Sequence, residues 1–431
     1  MAYTIIKYLG LYILGFCFLY IDGMGNTEGL SIGQIWKIPV IAFLAFKCIN
    51  YTFRNYAQFR LGYAVTKLLN PDLLNATAGT MSSFLKFLVL PLCLPFFRNI
   101  LTSEKVLYYL KLLAHIIIVS FIPFYLGLFE ERHTYIAADL LGVDSLIGPF
   151  NNAHTSAIYL SISILVLIFY VRNICEDKLE KVYTWGLILV GLYFLMLTYV
   201  RTGYAMCVLG IYVILAYKGS IFKSLLSGAL WGGLFYLAAT AYIETNDILD
   251  QRLHEETGYK HDDEINGSGR LYFWVTSINL WVNSDNAQEY LFGHGLQETM
   301  EQQAKENGLL VASHNGFIDA LVQNGLIGFS LLLLYYLTLI RNIFKNNMES
   351  PYFLLFLAWL MSDIAFQFVQ GGTFFFYDIM SALIITLPIL ETEEYESELQ
   401  AEESNDDWQS LDETDDTTET ISDYSQNSYP V

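Results

Sequence analysis

The chain is poor in charged residues and in cysteine. Only 15% of its 431 residues are Asp, Glu, Lys or Arg, whereas soluble globular proteins carry about 25%. The five cysteines form no Cys-x-x-Cys pair, so they predict neither a disulfide framework nor a zinc site. Apolar runs long enough to cross a bilayer recur along most of the sequence. The composition therefore excludes a soluble domain and favours an integral membrane protein.

The C-terminal segment has no positive charge. Residues 391–431 hold 15 of the 43 acidic residues and none of the 23 basic ones, and they are rich in Ser, Thr and Gln. Such a segment cannot bury enough apolar surface to fold alone. We therefore predict a disordered acidic tail that follows a nearly neutral membrane-embedded body.

The apolar runs predict an all-α polytopic membrane protein with eleven or twelve transmembrane helices. A weaker twelfth candidate, 55–76, contains Arg60 and Lys67, so the alternative is a re-entrant or interfacial helix. The eleven stronger candidates are 4–21, 34–50, 82–101, 107–129, 153–172, 183–200, 203–219, 221–243, 316–341, 352–370 and 373–390.

Basic residues in the short loops give the orientation. Lys and Arg are concentrated in the loops near 98–106, 172–182, 218–223 and 341–351, which should therefore face the cytoplasm. This predicts four parts. They are an N-terminal transmembrane bundle (1–243), a large outward loop (244–315), C-terminal transmembrane helices (316–390) and the cytoplasmic tail (391–431).

The outward loop contains an amphipathic stretch that begins at Arg270. Leu271, Trp274, Val275, Ile278 and Trp281 recur at helical spacing. Because Trp favours the membrane interface, we expect an interfacial helix that lies over the bundle. The acidic cluster at 261–264 fits a solvated loop better than a metal site.

The segment 313–328, SHNGFIDALVQNGLIG, is the strongest candidate for chemistry. It places His314 and Asn315 where the outward loop re-enters the membrane, and Asp319 follows within the apolar run. An ionisable histidine at this position suits a reaction at the membrane surface.

Two arginines precede this segment on the predicted outer side. Arg201 lies in the short turn between two spans, and Arg270 lies at the start of the amphipathic stretch. A guanidinium group binds phosphate through two parallel hydrogen bonds. The alternatives are that Arg201 reaches lipid phosphate and that Arg270 is a solvated loop residue.

Two further histidines are candidate supporting residues. His154 begins the span 153–172, where a role at the helix start is the simpler interpretation. His294 lies between Gly293 and Gly295, and this pattern is typical of a tight turn.

These elements together resemble the O-antigen ligase and O-antigen polymerase superfamily. The resemblance rests on His314-Asn315, nine residues and then Gly325-x-x-Gly328, and on RTGY at 201–204, SGR at 268–270, LFGHG at 291–295 and GPFNNAH at 148–154. It is best over about 145–345 and implies a fold that resembles the GT-C glycosyltransferase architecture.

The resemblance also implies an activity and a site. Members join glycans carried on undecaprenyl diphosphate at the outer face of the bacterial inner or plasma membrane. The family's essential residues map onto His314 as the catalytic base and onto Arg201 and Arg270 as diphosphate ligands. The implied partners are a lipid-linked donor and acceptor, the bilayer and a chain-length regulator. No nucleic acid, metal or other cofactor is implied.

Three functions are compatible with this pattern. The first is a polymerase of O-antigen, capsule or exopolysaccharide repeat units. The chain lacks a Leu four residues after Arg201 that ligases commonly show, which favours the polymerase over the second candidate, an O-antigen ligase. The third is a transporter or flippase of lipid-linked sugars, but the chain shows no pair of similar halves, which many transporters have.

Overall fold

The computed structural model describes residues 2–22, 35–69, 78–130, 145–217 and 270–415. These residues form helices joined by turns, and no strand occurs among them. The helices are Ala2–Asp22, Lys37–Cys48, Asn55–Thr66, Ala78–Ile100, Ser103–Ser120, Ile122–Tyr125, Ala153–Asn173, Lys178–Leu197, Arg201–Ala216, Arg270–Val282, Ala287–Phe292, Gly295–Asn307, Gly316–Asn346, Phe353–Val369 and Phe375–Asp415, with a 3₁₀ turn at Lys67–Leu69.

The helices confirm an all-α polytopic membrane protein. Of the twelve predicted segments, eleven coincide with helices. The remaining segment, 221–243, lies outside the described residues. Five described helices are long and apolar enough to cross a membrane, and shorter apolar helices accompany them. Ala153–Asn173 is the central helix, because 94% of its apolar window is buried inside the protein.

Polar caps mark where several of these helices begin. The Asn152 side chain accepts a hydrogen bond from the Thr155 backbone N–H at 2.8 Å, and Asp177 accepts one from the Leu179 N–H at 2.6 Å. Such caps satisfy backbone donors that have no partner within the helix. Long apolar runs between capped turns therefore give helices with defined starts.

Side-chain contacts group the predicted cytoplasmic loops at one end of the bundle. Glu393 forms ion pairs with Arg54 and, at 2.8 Å, with Arg98. The Ser103 N–H donates to Glu394 at 3.0 Å, and the Asn347 amide donates to Thr392 at 2.9 Å. Four chain segments thus meet where the last span ends, as the predicted orientation requires.

The segment 55–76 enters the bundle rather than lying across it. Asn55–Thr66 packs between Ala78–Ile100 and Gly316–Asn346, and Arg60 is buried. Arg54, just before this helix, lies at the Glu393 end of the bundle. The two charges that weakened the prediction therefore do not exclude a helix within the bundle, because Arg60 faces other helices. Residues 70–77 lie outside the described part.

The last helix differs from the predicted disordered tail. Phe375–Asp415 continues through the start of the acidic segment, and residues 416–431 lie outside the described part. Glu393 and Glu394 continue the last span and contact neighbouring helices, so the tail begins as an ordered extension. Composition alone does not reveal these partners, because their charges come from distant parts of the sequence.

Replacing Glu393 tests this anchor. We expect Glu393→Ala to lower the thermal unfolding midpoint at low salt, because Arg54 and Arg98 lose their counter-charge. The pairs are partly exposed, so each should contribute about 1 kcal/mol or less, and the effect should shrink at high salt. Glu398→Ala, at an exposed position on the same helix, is the matched control. Equal unfolding midpoints for the two variants would contradict a stabilising role for the ion pairs of Glu393.

Candidate active site

The three predicted site residues each lie at the N-terminal end of a helix. Arg201 begins Arg201–Ala216, Arg270 begins Arg270–Val282, and His314 lies two residues before Gly316–Asn346. Helix N-termini carry a positive partial charge, so a basic residue there is unfavourable without an anion nearby. Three such starts favour a site for a negatively charged ligand.

Arg270 lies within electrostatic range of both Arg201 and His314. Burial and the charge of Arg201 lower the pKa of Arg270 below the ordinary value for a guanidinium group. Burial, and then the charge of Arg270, lower the pKa of His314 to about 4. The imidazole is therefore neutral at ordinary pH and can accept a proton.

The backbone at His314 is in a conformation that side chains rarely adopt. His314 has a φ of 55°, and Tyr199, two residues before Arg201, has a φ of 53°. Among the described residues, these are the two non-glycine residues with positive φ. Such a conformation costs about 1–3 kcal/mol and persists where surrounding contacts enforce it. Both strained residues lie beside or within the basic cluster.

Polar contacts on either side hold the His314 backbone. The Asp319 carboxylate accepts a hydrogen bond from the Ser313 N–H at 3.0 Å. The Asn315 side chain accepts from the N–H groups of Phe317 and Ile318 at 3.0 and 3.1 Å, and so caps the following helix. Asn315 and Asp319 therefore position His314 through the backbone.

The helix Arg270–Val282, here called the loop helix, packs on His314 and is held by a buried glutamine. The Phe273 and His314 ring centroids lie 6.1 Å apart. The fully buried Gln303 side chain donates to the Phe273 carbonyl at 2.7 Å and to the Ser277 hydroxyl at 2.9 Å. The sequence carried no signal for Gln303, because it lies in a polar helix beside a second glutamine.

The predicted apolar face of the loop helix divides in two. Trp274 contacts Phe368 edge to face at 5.4 Å, and Trp281 stacks on Tyr290 at 4.3 Å. The other members of the stripe remain exposed, namely Leu271, Val275 and Ile278. The amphipathic helix is confirmed, and its position at the membrane interface stays a prediction.

Backbone contact between a tight turn and a kink supports the helix that follows His314. Gly293, with a φ of 83°, packs directly on the backbone of Gln323 and Asn324. Gly325, with a φ of 67° and a ψ of −172°, kinks Gly316–Asn346 and packs on the Leu291 backbone. A Cβ at either position would lie within 2.5 Å of backbone atoms. Both glycines are therefore required for this close approach.

The two candidate supporting histidines have different surroundings. His294 is buried in the tight turn, where its N–H donates to the Val322 carbonyl at 2.9 Å and its ring contacts Ser284 at 2.8 Å. These contacts fit a structural turn residue. His154 is exposed, and Asn152 rather than His154 caps its helix.

The acidic cluster at 261–264 lies outside the described residues. Within the described ranges, no group of three His, Cys, Asp or Glu side chains could hold a metal ion. Within these ranges, the Arg270 guanidinium group acts on the His314 imidazole, and the Phe273 ring lies beside it.

Comparison with known proteins identifies a family that part of the chain resembles. Residues 186–333 match the model of the O-antigen ligase family. The match supports the resemblance seen in the motifs and a glycosyl-transferring enzyme in the general sense. No curated protein shows a significant match to the chain.

The matched segment contains all three basic site residues, together with Gly325 and Gly328. It begins after GPFNNAH, so the match does not include His154. Gly328 allows close packing, because a Cβ there would lie 3.1 Å from Thr66 Oγ1. This glycine links the matched segment to the helix Asn55–Thr66, which lies outside the match.

Replacing Gly325 tests the kink. Gly325→Ala should destabilise the protein by about 1–3 kcal/mol or more, because alanine is strained at this φ and its Cβ would meet the Leu291 backbone. Gly186→Ala, at a helical position with nothing within 4 Å, is the control and should be neutral or stabilising. Thermal unfolding in detergent measures both, and an unchanged midpoint for Gly325→Ala would exclude the strained kink.

Proposed function

We propose that this protein is a polysaccharide polymerase of the bacterial inner or plasma membrane. It transfers a growing glycan from undecaprenyl diphosphate to the non-reducing end of an incoming lipid-linked repeat unit. The product is an O-antigen, capsule or exopolysaccharide chain. The observation that carries the proposal is the convergence of Arg201, Arg270 and His314 within the segment that matches the O-antigen ligase family.

The chemistry needs one base and one site for a leaving diphosphate. The acceptor hydroxyl attacks the anomeric carbon of the donor, and its proton passes to the neutral imidazole of His314. The bond between that carbon and the diphosphate oxygen breaks, and the electron pair leaves with the diphosphate. Arg201 and Arg270 stabilise the developing negative charge, so the reaction stays balanced without another reactant.

The low pKa of His314 is a consequence of its cationic neighbour and its burial. A base works best when its pKa lies near the working pH, so an imidazole with a pKa of about 4 is a weak acceptor. A bound diphosphate would offset the charge of Arg270 and raise the pKa of His314 toward its ordinary value. The donor therefore increases the basicity of the group that the reaction needs.

Asn315 and Asp319 contribute to this function as positioning residues. They hold the backbone on each side of His314 in the strained conformation that presents the imidazole. Their side chains bond to backbone N–H groups, so they need not touch the substrate.

An O-antigen ligase is the second candidate, because the matching family carries that description. A ligase would use the same base and the same diphosphate ligands, and would differ only in its acceptor. The lipid-linked material that accumulates when activity is lost separates the two. Single repeat units would indicate a polymerase, whereas long lipid-linked chains would indicate a ligase.

Replacing His314 tests the proposed base. His314→Ala should leave membrane insertion intact but lower glycan extension by about 10²- to 10⁴-fold, as expected for loss of a general base. The measurement is product length by gel with lipid-linked repeat units as substrate, and protein level in the membrane is the control. Chains of normal length in this variant would refute the role of His314.

The pH dependence tests the electrostatic coupling. His314 must be neutral to act, so activity is lost as the pH falls below its pKa. For kcat/KM, which reports the free enzyme, we expect the acid limb near pH 4, because the pKa of His314 is about 4. For kcat, the limb should lie at higher pH, because bound diphosphate raises that pKa. If the acid limbs of kcat/KM and kcat lay at the same pH, bound diphosphate would not raise the pKa of His314, and the electrostatic coupling would be contradicted.

A further inference from the structure

A second charged cluster lies inside the helix bundle, apart from the proposed active site. Arg60, Asp363 and Asp378 are 5%, 4% and 3% exposed. They come from Asn55–Thr66, Phe353–Val369 and Phe375–Asp415, and their charges act on one another. We call these three residues the buried junction. Because two acids and one base are buried together, the question is which of the three side chains are charged.

Tyrosine hydroxyls satisfy one of the two carboxyl groups. Tyr336 donates to Asp363 Oδ2 at 2.6 Å, and Tyr377 donates to Asp363 Oδ1 at 2.8 Å. Both oxygens of Asp363 thus act as acceptors, as in an ionised carboxylate. Hydrogen bonds of this kind stabilise the charged form of the acid.

The other carboxyl group has no such support. No described residue donates a hydrogen bond to the Asp378 side chain, and its Oδ2 atom is fully buried. Asp378 lies in the first turn of its helix, which favours a negative charge there. That contribution is small compared with the cost of placing a second unsolvated charge beside Asp363.

Arg60 supplies charge for one acid only. Its guanidinium carbon lies 5.3 Å from the Tyr63 ring centroid and 5.4 Å from that of Tyr335, so aromatic faces surround it. One positive charge balances one carboxylate. If both acids were ionised, the buried junction would keep a net negative charge, which a protein interior strongly disfavours.

We propose that Asp378 is a buried proton-binding site, and that Asp363 carries the negative charge that balances Arg60. The ligand is a single proton, held at the carboxyl group whose buried Oδ2 atom has no hydrogen-bond partner among the described residues. The proton keeps the buried junction neutral where three helices meet. Neither the O-antigen ligase family match nor the proposed function requires this site.

The surroundings of Asp378 favour a proton over a metal ion. Arg60 repels a bound cation, and the nearby hydroxyl and thiol groups are neutral at ordinary pH. Lys37 lies 5.4 Å from the ring of Phe375, which precedes Asp378 by one turn. The Tyr159 hydroxyl accepts a hydrogen bond from the Phe376 N–H. The ionisable groups that interact electrostatically with Asp378 come from several helices and are Arg60, Cys93, Tyr335, Asp363 and, on its own helix, Tyr377.

The position of the buried junction gives this proton a structural consequence. Asp363 lies one turn before Gln367, whose amide oxygen packs against Gly316 at the start of the helix that follows His314. Ionisation of Asp378 would add a second negative charge that acts on Asp363 and would weaken the packing of the buried junction. The cohesion of the bundle should therefore decrease toward alkaline pH.

Infrared difference spectroscopy tests the proposal directly. In purified full-length protein at neutral pH, we expect the carbonyl band of a protonated carboxyl group that shifts in deuterium oxide. The band should be present in the wild type and absent in Asp378→Asn. It should also be lost in Asp363→Asn, because Asp378 would then supply the negative charge that balances Arg60. Absence of the band from the wild type, or its persistence in Asp378→Asn, would overturn the proposal.

Thermal stability provides a second measurement that does not depend on catalysis. The unfolding midpoint of the wild type should fall toward alkaline pH more steeply than that of Asp378→Asn, which keeps a neutral group at every pH. If Asp378→Asn does not fold, the band must still be present in the wild type and lost in Asp363→Asn. A wild-type midpoint that rises with sodium but not with a bulky organic cation would overturn the proton in favour of a metal ion.

Discussion

Electrostatic repulsion between basic groups governs one end of this bundle. Arg270 is repelled by Arg201 and acts in turn on His314, although the three residues come from separate parts of the chain. Such a cluster is unfavourable in an empty protein and favourable once an anion binds, since each helix start adds positive potential. Burial and, after it, the charge of Arg270 keep the imidazole neutral. The same surroundings therefore prepare the proposed diphosphate site and leave the proposed base free to accept a proton.

Backbone contacts, rather than side-chain packing, keep that cluster in place. Gly293 and Gly325 let a tight turn and a kinked helix approach until their main chains touch, and the His294 N–H bonds to the Val322 carbonyl at 2.9 Å. Asp319 holds the chain just before His314. A strained histidine backbone survives only where neighbouring contacts over-determine it. These glycines of the matched segment thus support the geometry of a residue that they do not touch.

Hydropathy predicted most of the helices, because a bilayer imposes a minimum length of apolar sequence on each span. It gave the segment 55–76 too little weight. A buried arginine is unfavourable in free energy unless it has partners, and the partners of Arg60 lie on helices that are distant in sequence. The motif spacing singled out Gly325 and Gly328. It did not predict that Gly325 forms a kink or that Gly328 allows the helix Asn55–Thr66 to pack closely. Gln303 and the ordered start of the tail were missed for one reason. Their partners are far away in sequence, and no local pattern encodes them.

The two charged clusters show how one bundle uses the same residue types in opposite ways. In the buried junction, hydroxyl donors and a single arginine account for one carboxylate, and the proposed proton neutralises the other. At the predicted outer end, Arg201 is exposed, and no carboxylate in the described part of the chain forms an ion pair with Arg270. Charge that is balanced within the protein stabilises the fold. The charge of Arg270 is instead available to a substrate, which is why the predicted outer cluster and not the inner one is the proposed site of glycan transfer.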